Sequence, residues 1–269
     1  MDAHAGWGER EAKDAERARV LRLLARQSTD PEASDGVVGT LHRLCRAVAV
    51  ALSGCGAGVS LMAEDGVRGV ATASDAAAEW LEELQFVLGE GPCIDAFDGR
   101  RPVLVSDLAD GAVRRWPFYA RAAYDGGVRA VFAFPLQVGA ARLGVLDVFR
   151  ARPGPLTADE LGQALTFAEV AVTTLLDGQD AASPGAAAPG LDGAMDGRAV
   201  LFQAQGMVMV QLGVSLAAAL TRMRAYSYTE NRPLGEVARD VVARRLVFGR
   251  DRPPPGTSPS EPSTSGPEQ

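Results

Sequence analysis

The sequence predicts an α+β protein in which helices flank an antiparallel sheet and a three-helix bundle follows. Two β-hairpins and a single strand alternate with helices between residues 35 and 178, an order typical of an antiparallel sheet with helices packed on it. Three helical segments then lie between residues 194 and 250. With 269 residues, the chain is long enough for these two domains.

Residues 1–34 are predicted to form a helix and a turn ahead of the sheet. Charged residues dominate the first half of the helix at 8–27, and "STDPEASDG" contains the residue types that end a helix. A second helix is predicted from Val37 to Leu52, because its apolar residues recur at helical spacing. One face of it carries Leu41, Leu44, Cys45, Val48 and Leu52.

Two hairpins supply four of the predicted strands. The first turns at Asp65-Gly66, a dipeptide typical of tight hairpin turns, and the second turns near Gly139 in "VRAVFAFPLQVGAARLGVLDVF". Between them we expect a helix in "AAAEWLEELQFV", a loop in "LGEGPCIDAFDGR", a strand in "PVLVSDL" and a helix in "WPFYARAAY". Thr157 and the acidic residues after it predict the start of a last helix, which ends near Leu176.

Composition predicts a linker and a tail around the bundle. Residues 179–193 lack an apolar period, which predicts a flexible linker, and the Pro-, Ser- and Gly-rich residues 251–269 are expected to be disordered. Within 194–250, Gly213 ends the first helix, Ser215 caps the second and Pro233 opens the third. The third helix has a regular apolar stripe of Leu234, Val237, Ala238, Val241 and Val242.

Residue counts argue against catalytic and metal sites. Histidine occurs only at His4 and His42, so a Ser-His-Asp triad or a multi-histidine metal site is not expected. The three cysteines form no CxxC pair, which favours reduced thiols over a disulfide framework or a zinc site. No apolar run reaches a membrane-helix length of about 20 residues, and the first residues lack a secretory signal. We therefore expect a cytoplasmic protein that is not an enzyme and has no membrane contact.

Charge is distributed unevenly along the chain. Residues 194–250 contain eight arginines and four acidic residues, a net +4, so the remainder of the chain, whose total is −7, carries −11. A basic segment on an acidic chain favours an anionic partner for that segment. The alternative is a chance imbalance of surface charge.

Four separated blocks follow one another in the predicted sheet domain: "LGEGPCIDAFDGRRPVLVSDL", "RWPFYARAA", "GVRAVFAFPLQV" and "RLGVLDVF". Together they resemble a GAF domain of the type found in bacterial GAF–ANTAR regulators, and the resemblance covers about residues 35–178. It implies a GAF-type antiparallel sheet of six strands with a ligand pocket on one face and a sensing role. It does not name the small molecule or redox signal, so the cofactor is unknown.

Cys93 is the candidate sensor residue of this domain. It follows the loop residues Gly89, Gly91 and Pro92, where a thiol could sense oxidation or nitrosylation or attach a chromophore. The alternative is that Cys93 is a small buried hydrophobic residue, as free cysteines usually are. No histidine follows Cys93, which argues against a bilin, and only His42 could ligate haem. The single asparagine, Asn231, lies outside the domain, which excludes the Asn-rich signature of cyclic-nucleotide-binding GAF domains.

The segment "RAVLFQAQGMVMVQLGVSLAAALTRMRAYSYTENRPLGEVARDVV" resembles an ANTAR domain over its full length. Members of that family bind RNA hairpins in nascent transcripts and prevent termination. Gln205 departs from the pattern, because lysine is frequent at that position. The matching residues are Ala204-Gln205-Gly206, Val208-Met209, Ala219, Arg224-Ala225 and Leu234 through Ala238.

Gly206 lies in the middle of a helix, where glycine costs about 1 kcal/mol relative to alanine. Two explanations remain open: the missing side chain permits close helix packing, or it lets an RNA backbone approach. Arg198 and Gln205 are seven residues apart and would share an outward face beside it that the bundle core does not use. The candidate RNA-binding residues are Arg198, Gln205, Gly206, Arg222, Arg224, Tyr226, Asn231 and Arg232.

Several of these candidates have structural alternatives. Tyr226 could stack on unpaired bases or pack in the bundle. Asn231 and Arg232 could hold phosphate or cap the third helix. At least one of Arg222 and Arg224 is expected to point outward.

The resemblances together imply a signal-responsive transcription regulator with a GAF sensor and an ANTAR module. Its expected partner is an RNA hairpin, and a homodimer is possible. Signal transfer would expose or dimerise the ANTAR bundle. The alternative is a DNA-binding transcription factor, because helix-turn-helix modules share the three-helix shape and the charge.

Overall fold

The computed structural model describes residues 5–27, 36–62, 68–180, 192–230 and 232–249. The predicted turn at Asp65-Gly66, most of the linker and the tail lie outside these ranges. In chain order, the helices and strands are α1 (Ala5–Ala25), α2 (Val37–Ala51), β1 (Gly56–Met62), β2 (Arg68–Ala73), α3 (Ala76–Leu88), α4 (Pro92–Gly99), β3 (Val103–Val105), α5 (Ala112–Arg115), α6 (Tyr119–Asp125), β4 (Ala130–Val138), β5 (Ala141–Arg150), α7 (Ala158–Asp180), α8 (Asp192–Leu212), α9 (Leu216–Thr229) and α10 (Leu234–Val242).

The strands form one antiparallel sheet in the order β2-β1-β5-β4-β3. The second hairpin turns at Gly139 as predicted. The described residues contain five strands where the GAF resemblance implied six. Residues 106–129, between β3 and β4, form turns and the short helices α5 and α6, so five strands agree with the count made directly from the sequence.

Both faces of the sheet are covered, because side chains alternate between them along each strand. On β5, Leu146 and Val148 join a core with α1, α2 and α7. Val145 and Phe149 join a second core with α3, α4, α5 and α6. Asp147 has the same parity as these two residues, so it lies on the α3 side and is fully buried there.

The loop predicted at "LGEGPCIDAFDGR" contains helix α4, so that prediction was wrong for Pro92–Gly99. Pro92 occupies the first turn of α4, where its fixed φ suits a helix and its missing N–H costs nothing. The pair of glycines before Pro92 suggested a loop and hid the helix start. The consequence for the site is that Cys93 lies in the first turn of a helix.

The caps predicted for two helices are confirmed. Thr157 Oγ1 accepts from Glu160 N at 3.2 Å, and Glu160 Oε2 accepts from Thr157 N at 2.8 Å, which forms a capping box at the start of α7. Ser215 Oγ accepts from Ala218 N at 3.2 Å at the start of α9. Helix α7 extends to Asp180, four residues beyond the predicted end at Leu176.

Helices α8, α9 and α10 form the predicted three-helix bundle around a small apolar core. Gly213, at φ 67°, ends α8 and allows the chain to turn into α9. No single described helix is long and apolar enough to cross a membrane, although α8 and α9, bent by 102°, meet that criterion as a pair. The bundle core consists of Ala204, Val208, Ala219, Met223, Leu234, Ala238 and Val241, together with Val87 from α3.

Candidate sensor site and nucleic-acid interface

A cluster of buried polar side chains lies between the sheet and α3, α4 and α6. Its centre is formed by Glu82 of α3, Cys93 of α4 and Asp147 of β5, and we call these three residues the acidic cluster. Each is fully buried, and their ligand atoms lie within 4.8 Å of one another. Burial of two carboxyl groups in a protein core is unusual unless they are paired or bind a ligand.

Hydrogen bonds hold each member of the acidic cluster in place. Ser60 Oγ donates to Glu82 Oε2 at 2.5 Å, and Gln85 Nε2 donates to Asp147 Oδ2 at 3.0 Å. Cys93 N donates to Gln85 Oε1 at 2.9 Å. Gln85 therefore links the Asp147 carboxyl to the start of α4.

Gly58 of β1 makes room for the Glu82 side chain. An ideal Cβ at Gly58 would lie 2.6 Å from Glu82 Cγ and 2.7 Å from its Oε1. Any larger residue at position 58 would displace the Glu82 carboxyl from the sheet. The strand and α3 thus determine where this carboxyl lies.

Burial raises the pKa of Glu82 well above its usual value, and the neighbouring Asp147 charge raises it further. Burial also raises the pKa of Asp147, while hydrogen bonds from Glu82, Gln85 and Cys93 oppose that rise. The two carboxyl groups are coupled, because a protonated Glu82 can donate to Asp147. One proton shared by the pair would lower the charge of the buried site.

Cys93, the predicted sensor residue, is fully buried, and its thiol lies 3.9 Å from Met62 Sδ. Both alternatives from the sequence remain open, because the thiol is also beside Glu82 and Asp147. Cys45 is buried, and burial raises the pKa of its thiol strongly. Cys55 is exposed, so a soluble oxidant would reach it before Cys93.

The bundle packs against the outer face of α3. Val87 enters the bundle core, and Glu83 Oε1 accepts a hydrogen bond from Leu234 N, at the start of α10, at 2.8 Å. Burial raises the pKa of Glu83, while the backbone N–H groups of Leu234 and Gly235 lower it. A groove of about 460 Å³ continues this interface between Trp80 of α3 and Tyr228 of α9.

The predicted arginines differ in their surroundings. Arg222 is exposed on α9. Arg224 lies at the interface, where an ideal Cβ on Gly89 would be only 2.7 Å from its Nη1. Arg232 Nη2 contacts Asp240 Oδ2 at 2.6 Å, so this guanidinium is part of an ion pair within the bundle. The side chain of Arg198 lies outside the described residues.

Two other RNA candidates have positions that favour a structural role. Tyr226 packs edge-on against Phe248, with ring centroids 5.5 Å apart. Gln205 is buried, and its Nε2 donates to Leu216 O at 2.9 Å. The prediction that Gln205 faces outward beside Arg198 was therefore wrong, because the side chain ties α8 to α9. Asn231 lies outside the described residues.

No described helix packs closely against Gly206. An ideal Cβ at Gly206 meets no described atom within 4 Å. The residue borders an open groove of about 530 Å³, whose walls include Gln203, Met207 and Arg244. The close-packing explanation from the sequence is therefore wrong in this arrangement, and the approach of an RNA backbone stays a prediction.

The contacts of α3 with both the acidic cluster and the bundle were not predicted from the sequence. Glu82 and Gln85 are three residues apart and share its inner face, whereas Glu83 and Val87 are four apart and share its outer face. The sequence "AEWLEELQFV" carries a sign of these contacts. Its acidic and amide side chains lie among apolar residues on both faces of a short helix. A helix with polar residues on two opposite faces is expected where it separates two sites.

The comparisons with known proteins agree with this division of the chain. The GAF domain family matches residues 36–175 and the ANTAR domain family matches residues 190–242. No curated protein matches the chain. GAF domains sense small molecules, and ANTAR domains belong to RNA-binding antitermination regulators.

Solved structures resemble the sensor domain only distantly. The GAF domain of the phosphoenolpyruvate-protein phosphotransferase from Acinetobacter is 11% identical, with a TM-score of 0.46, and covers 63% of this chain and 96% of that one. The corresponding domain from Coxiella burnetii is 13% identical, with a TM-score of 0.44 and coverages of 61% and 96%. A free methionine-R-sulfoxide reductase from Thermoplasma acidophilum is 11% identical, with a TM-score of 0.39 and coverages of 51% and 91%.

The GAF match spans more than half of the 269 residues, and the ANTAR match covers the helical bundle that packs against it. This chain therefore belongs to the GAF domain family and carries an ANTAR domain after its sensor.

Proposed function

We propose that this protein is a signal-responsive transcription regulator, without enzymatic activity, that binds an RNA hairpin through its ANTAR domain and prevents transcription termination. The GAF domain senses a small molecule or redox signal and sets the availability of the ANTAR domain. Because its target is a nascent transcript, the protein acts in the bacterial cytoplasm.

The observation that carries this proposal is the contact between α3 and the bundle. Arg224, a candidate RNA ligand, lies against Gly89, while Leu234 and Val87 join the two domains. A guanidinium held at this interface is not free to approach phosphate from every side. The docked arrangement therefore corresponds to the state with lower RNA affinity.

Release of the bundle would expose a larger basic surface. Arg222 is already exposed, and Arg224 and the outer side of Tyr228 would join it. Arginine binds phosphate through its planar guanidinium, and tyrosine can stack on unpaired loop bases. This surface suits a hairpin that presents both a phosphate backbone and splayed bases.

The test uses the full chain and a substitution on the sensor side of the interface. Val87→Asp places a charge in the apolar contact without altering any ANTAR residue. Burial of a valine side chain contributes about 1.5–3 kcal/mol, and about 1.4 kcal/mol is tenfold in affinity. We expect Val87→Asp to bind a hairpin RNA about tenfold more tightly than the original chain in a fluorescence anisotropy titration.

Val50→Asp is the matched control, because Val50 is 73% exposed on α2. It should leave the RNA affinity unchanged. A second pair of variants changes charge instead of apolar contact. Glu83→Arg removes the acceptor for Leu234 N, and Glu169→Arg makes the same charge change at an exposed position of α7. The proposal fails if neither interface variant binds more tightly than its control, and equal affinity for duplex DNA of the same sequence would favour a DNA-binding protein.

A further inference from the structure

The acidic cluster of the sensor domain contains more acceptor atoms than the described residues satisfy. When Glu82 and Asp147 are both carboxylates and the Cys93 thiol has lost its proton, Glu82 Oε1 and Asp147 Oδ1 have no hydrogen-bond donor among the described residues, although both atoms are buried. An unsatisfied buried carboxylate oxygen is strongly unfavourable. Either a proton or a cation must therefore lie between these two groups.

A second observation comes from α6, on another side of the cluster. The Tyr119 hydroxyl is fully buried and has no hydrogen-bond partner among the described residues. Burial raises the pKa of this hydroxyl well above its usual value, and the nearby Asp147, Glu82 and Cys93 raise it further. A shared proton satisfies the two carboxyl groups but leaves this hydroxyl without a partner. A bound ion, with a water molecule among its ligands, gives all of these groups a partner.

We propose that the sensor domain binds one divalent transition metal ion between Glu82 Oε1, Cys93 Sγ and Asp147 Oδ1. No metal site was expected from the sequence, because it has neither a cluster of histidines nor a CxxC pair. The three proposed ligands come from α3, α4 and β5, so no short sequence motif contains them.

The ligand types select the class of metal. Magnesium and calcium prefer oxygen ligands alone, whereas a thiolate with two carboxylates suits zinc and neighbouring divalent transition metals. Tetrahedral zinc requires a sulfur-to-oxygen separation of about 3.6 Å. The observed spacing is at most 4.8 Å, so the side chains would move inward by about 1 Å or less, and water would supply the fourth ligand.

The surrounding residues already position two of these ligands. Ser60 holds Glu82 through its other oxygen, and Gln85 holds Asp147 in the same way, which leaves one oxygen of each carboxylate directed to the ion. Hydrogen bonds of this kind orient metal ligands and influence affinity. Binding releases the thiol proton and any proton shared by the carboxyl groups.

The metal site specifies the chemical class of the signal in the proposed function. A regulatory role for the site rests on that proposed function. Glu82 faces the ion and its neighbour Glu83 contacts the bundle, so α3 borders both sites. Metal binding itself is measured without RNA. Failure of the metal site and failure of the RNA proposal are therefore distinguishable.

The test is a titration of the full chain with Co²⁺ after treatment with EDTA and removal of the chelator. We expect one ion per chain, visible absorption typical of tetrahedral Co²⁺, and a thiolate-to-metal charge-transfer band. Cys93→Ser should abolish the charge-transfer band, and Cys55→Ser, which removes the exposed thiol, should leave it unchanged. Zn²⁺ should displace Co²⁺ and raise the melting temperature of the chain.

Carboxylate variants test the remaining ligands and protect against a folding artefact. Glu82→Gln and Asp147→Asn should each weaken Co²⁺ binding at least tenfold, whereas Glu83→Gln, on the other face of α3, should not. Circular dichroism establishes that each variant is folded. Absence of Co²⁺ binding, or binding that survives Cys93→Ser, Glu82→Gln and Asp147→Asn, would overturn the proposal and leave a proton shared by the carboxyl pair.

Discussion

The sensor domain and the ANTAR bundle differ in the size and composition of their hydrophobic cores. The sensor buries large side chains on both faces of its sheet, including Phe132, Phe134 and Tyr119. The bundle core is built from small residues around Met223 and is completed by Val87 of α3. A bundle of this size has a small core. The comparison shows that the sensor supplies part of the bundle's stability.

The largest effect is expected from Phe132→Ala, because Phe132 is fully buried in the larger core. Truncation of a buried phenylalanine costs about 3–5 kcal/mol. Since the bundle packs on α3, we expect loss of the sensor to lower protection in α8–α10 as well. Hydrogen exchange of the full chain measures both regions, and a bundle that keeps full protection would contradict the dependence.

Met223→Ala tests whether damage to the bundle affects the sensor domain. Removing this buried side chain from α9 should destabilise the bundle by about 2–5 kcal/mol and leave the sheet intact. Hydrogen exchange should therefore increase in α8–α10 and stay unchanged in β4 and β5. Equal losses in both domains would show that the chain unfolds as a single unit.

Val87→Ala separates the contribution of the interface from that of the bundle itself. The change removes the equivalent of two methylene groups, about 1.6 kcal/mol, from the bundle core. We expect faster exchange in α9 and α10 and an unchanged sensor. Val170→Ala is the matched control, since Val170 is buried on α7, and it should affect the sensor first.

Removal of one N-cap from each domain should give two smaller losses of stability of similar size. Ser215→Ala and Thr157→Ala each delete an N-cap, which typically costs about 1 kcal/mol. If the bundle has the smaller margin of stability, urea denaturation should show the earlier transition for Ser215→Ala. An earlier transition for Thr157→Ala would reverse the comparison between the domains.

Gly206→Ala is expected to have the smallest effect on stability, and in the favourable direction. Since a Cβ at Gly206 meets no described atom, the gain in helix propensity should reach about 0.5–1 kcal/mol. A melting experiment measures this gain. If RNA approaches the groove beside Arg244, the same variant should bind hairpin RNA more weakly, and unchanged affinity would place the RNA elsewhere.

The sequence was sufficient for features that depend on neighbouring residues. The apolar stripe of α10, the turn at Gly139 and the cap at Ser215 follow from spacing and side-chain chemistry alone. It was insufficient where a partner is distant along the chain. Gln205 meets Leu216 and Arg232 meets Asp240 through tertiary packing, so their outward or inward position could not be read from helical periodicity.

The same distinction explains the missed sensor cluster. Glu82, Cys93 and Asp147 are separated by up to 65 residues along the chain, since 147 − 82 = 65. The pairing of β1 with β5 and the packing of α3 and α4 on the sheet bring them together. When a cluster is assembled from three separate elements, the residue spacing within any one helix or strand does not indicate it.

The short connection between α7 and α8 has a consequence for how strong the contact with α3 must be. Asp180 and Asp192 are separated by eleven residues, 181–191, which span at most about 40 Å when extended. If these residues form the flexible linker that the sequence predicts, the bundle has an effective concentration on the order of millimolar near the sensor. A contact with an intrinsic dissociation constant about ten times smaller than that value, which corresponds to about 5.5 kcal/mol, keeps the bundle docked about nine-tenths of the time. Small changes at α3 therefore suffice to redistribute the population, and the tether itself need not transmit any conformational change.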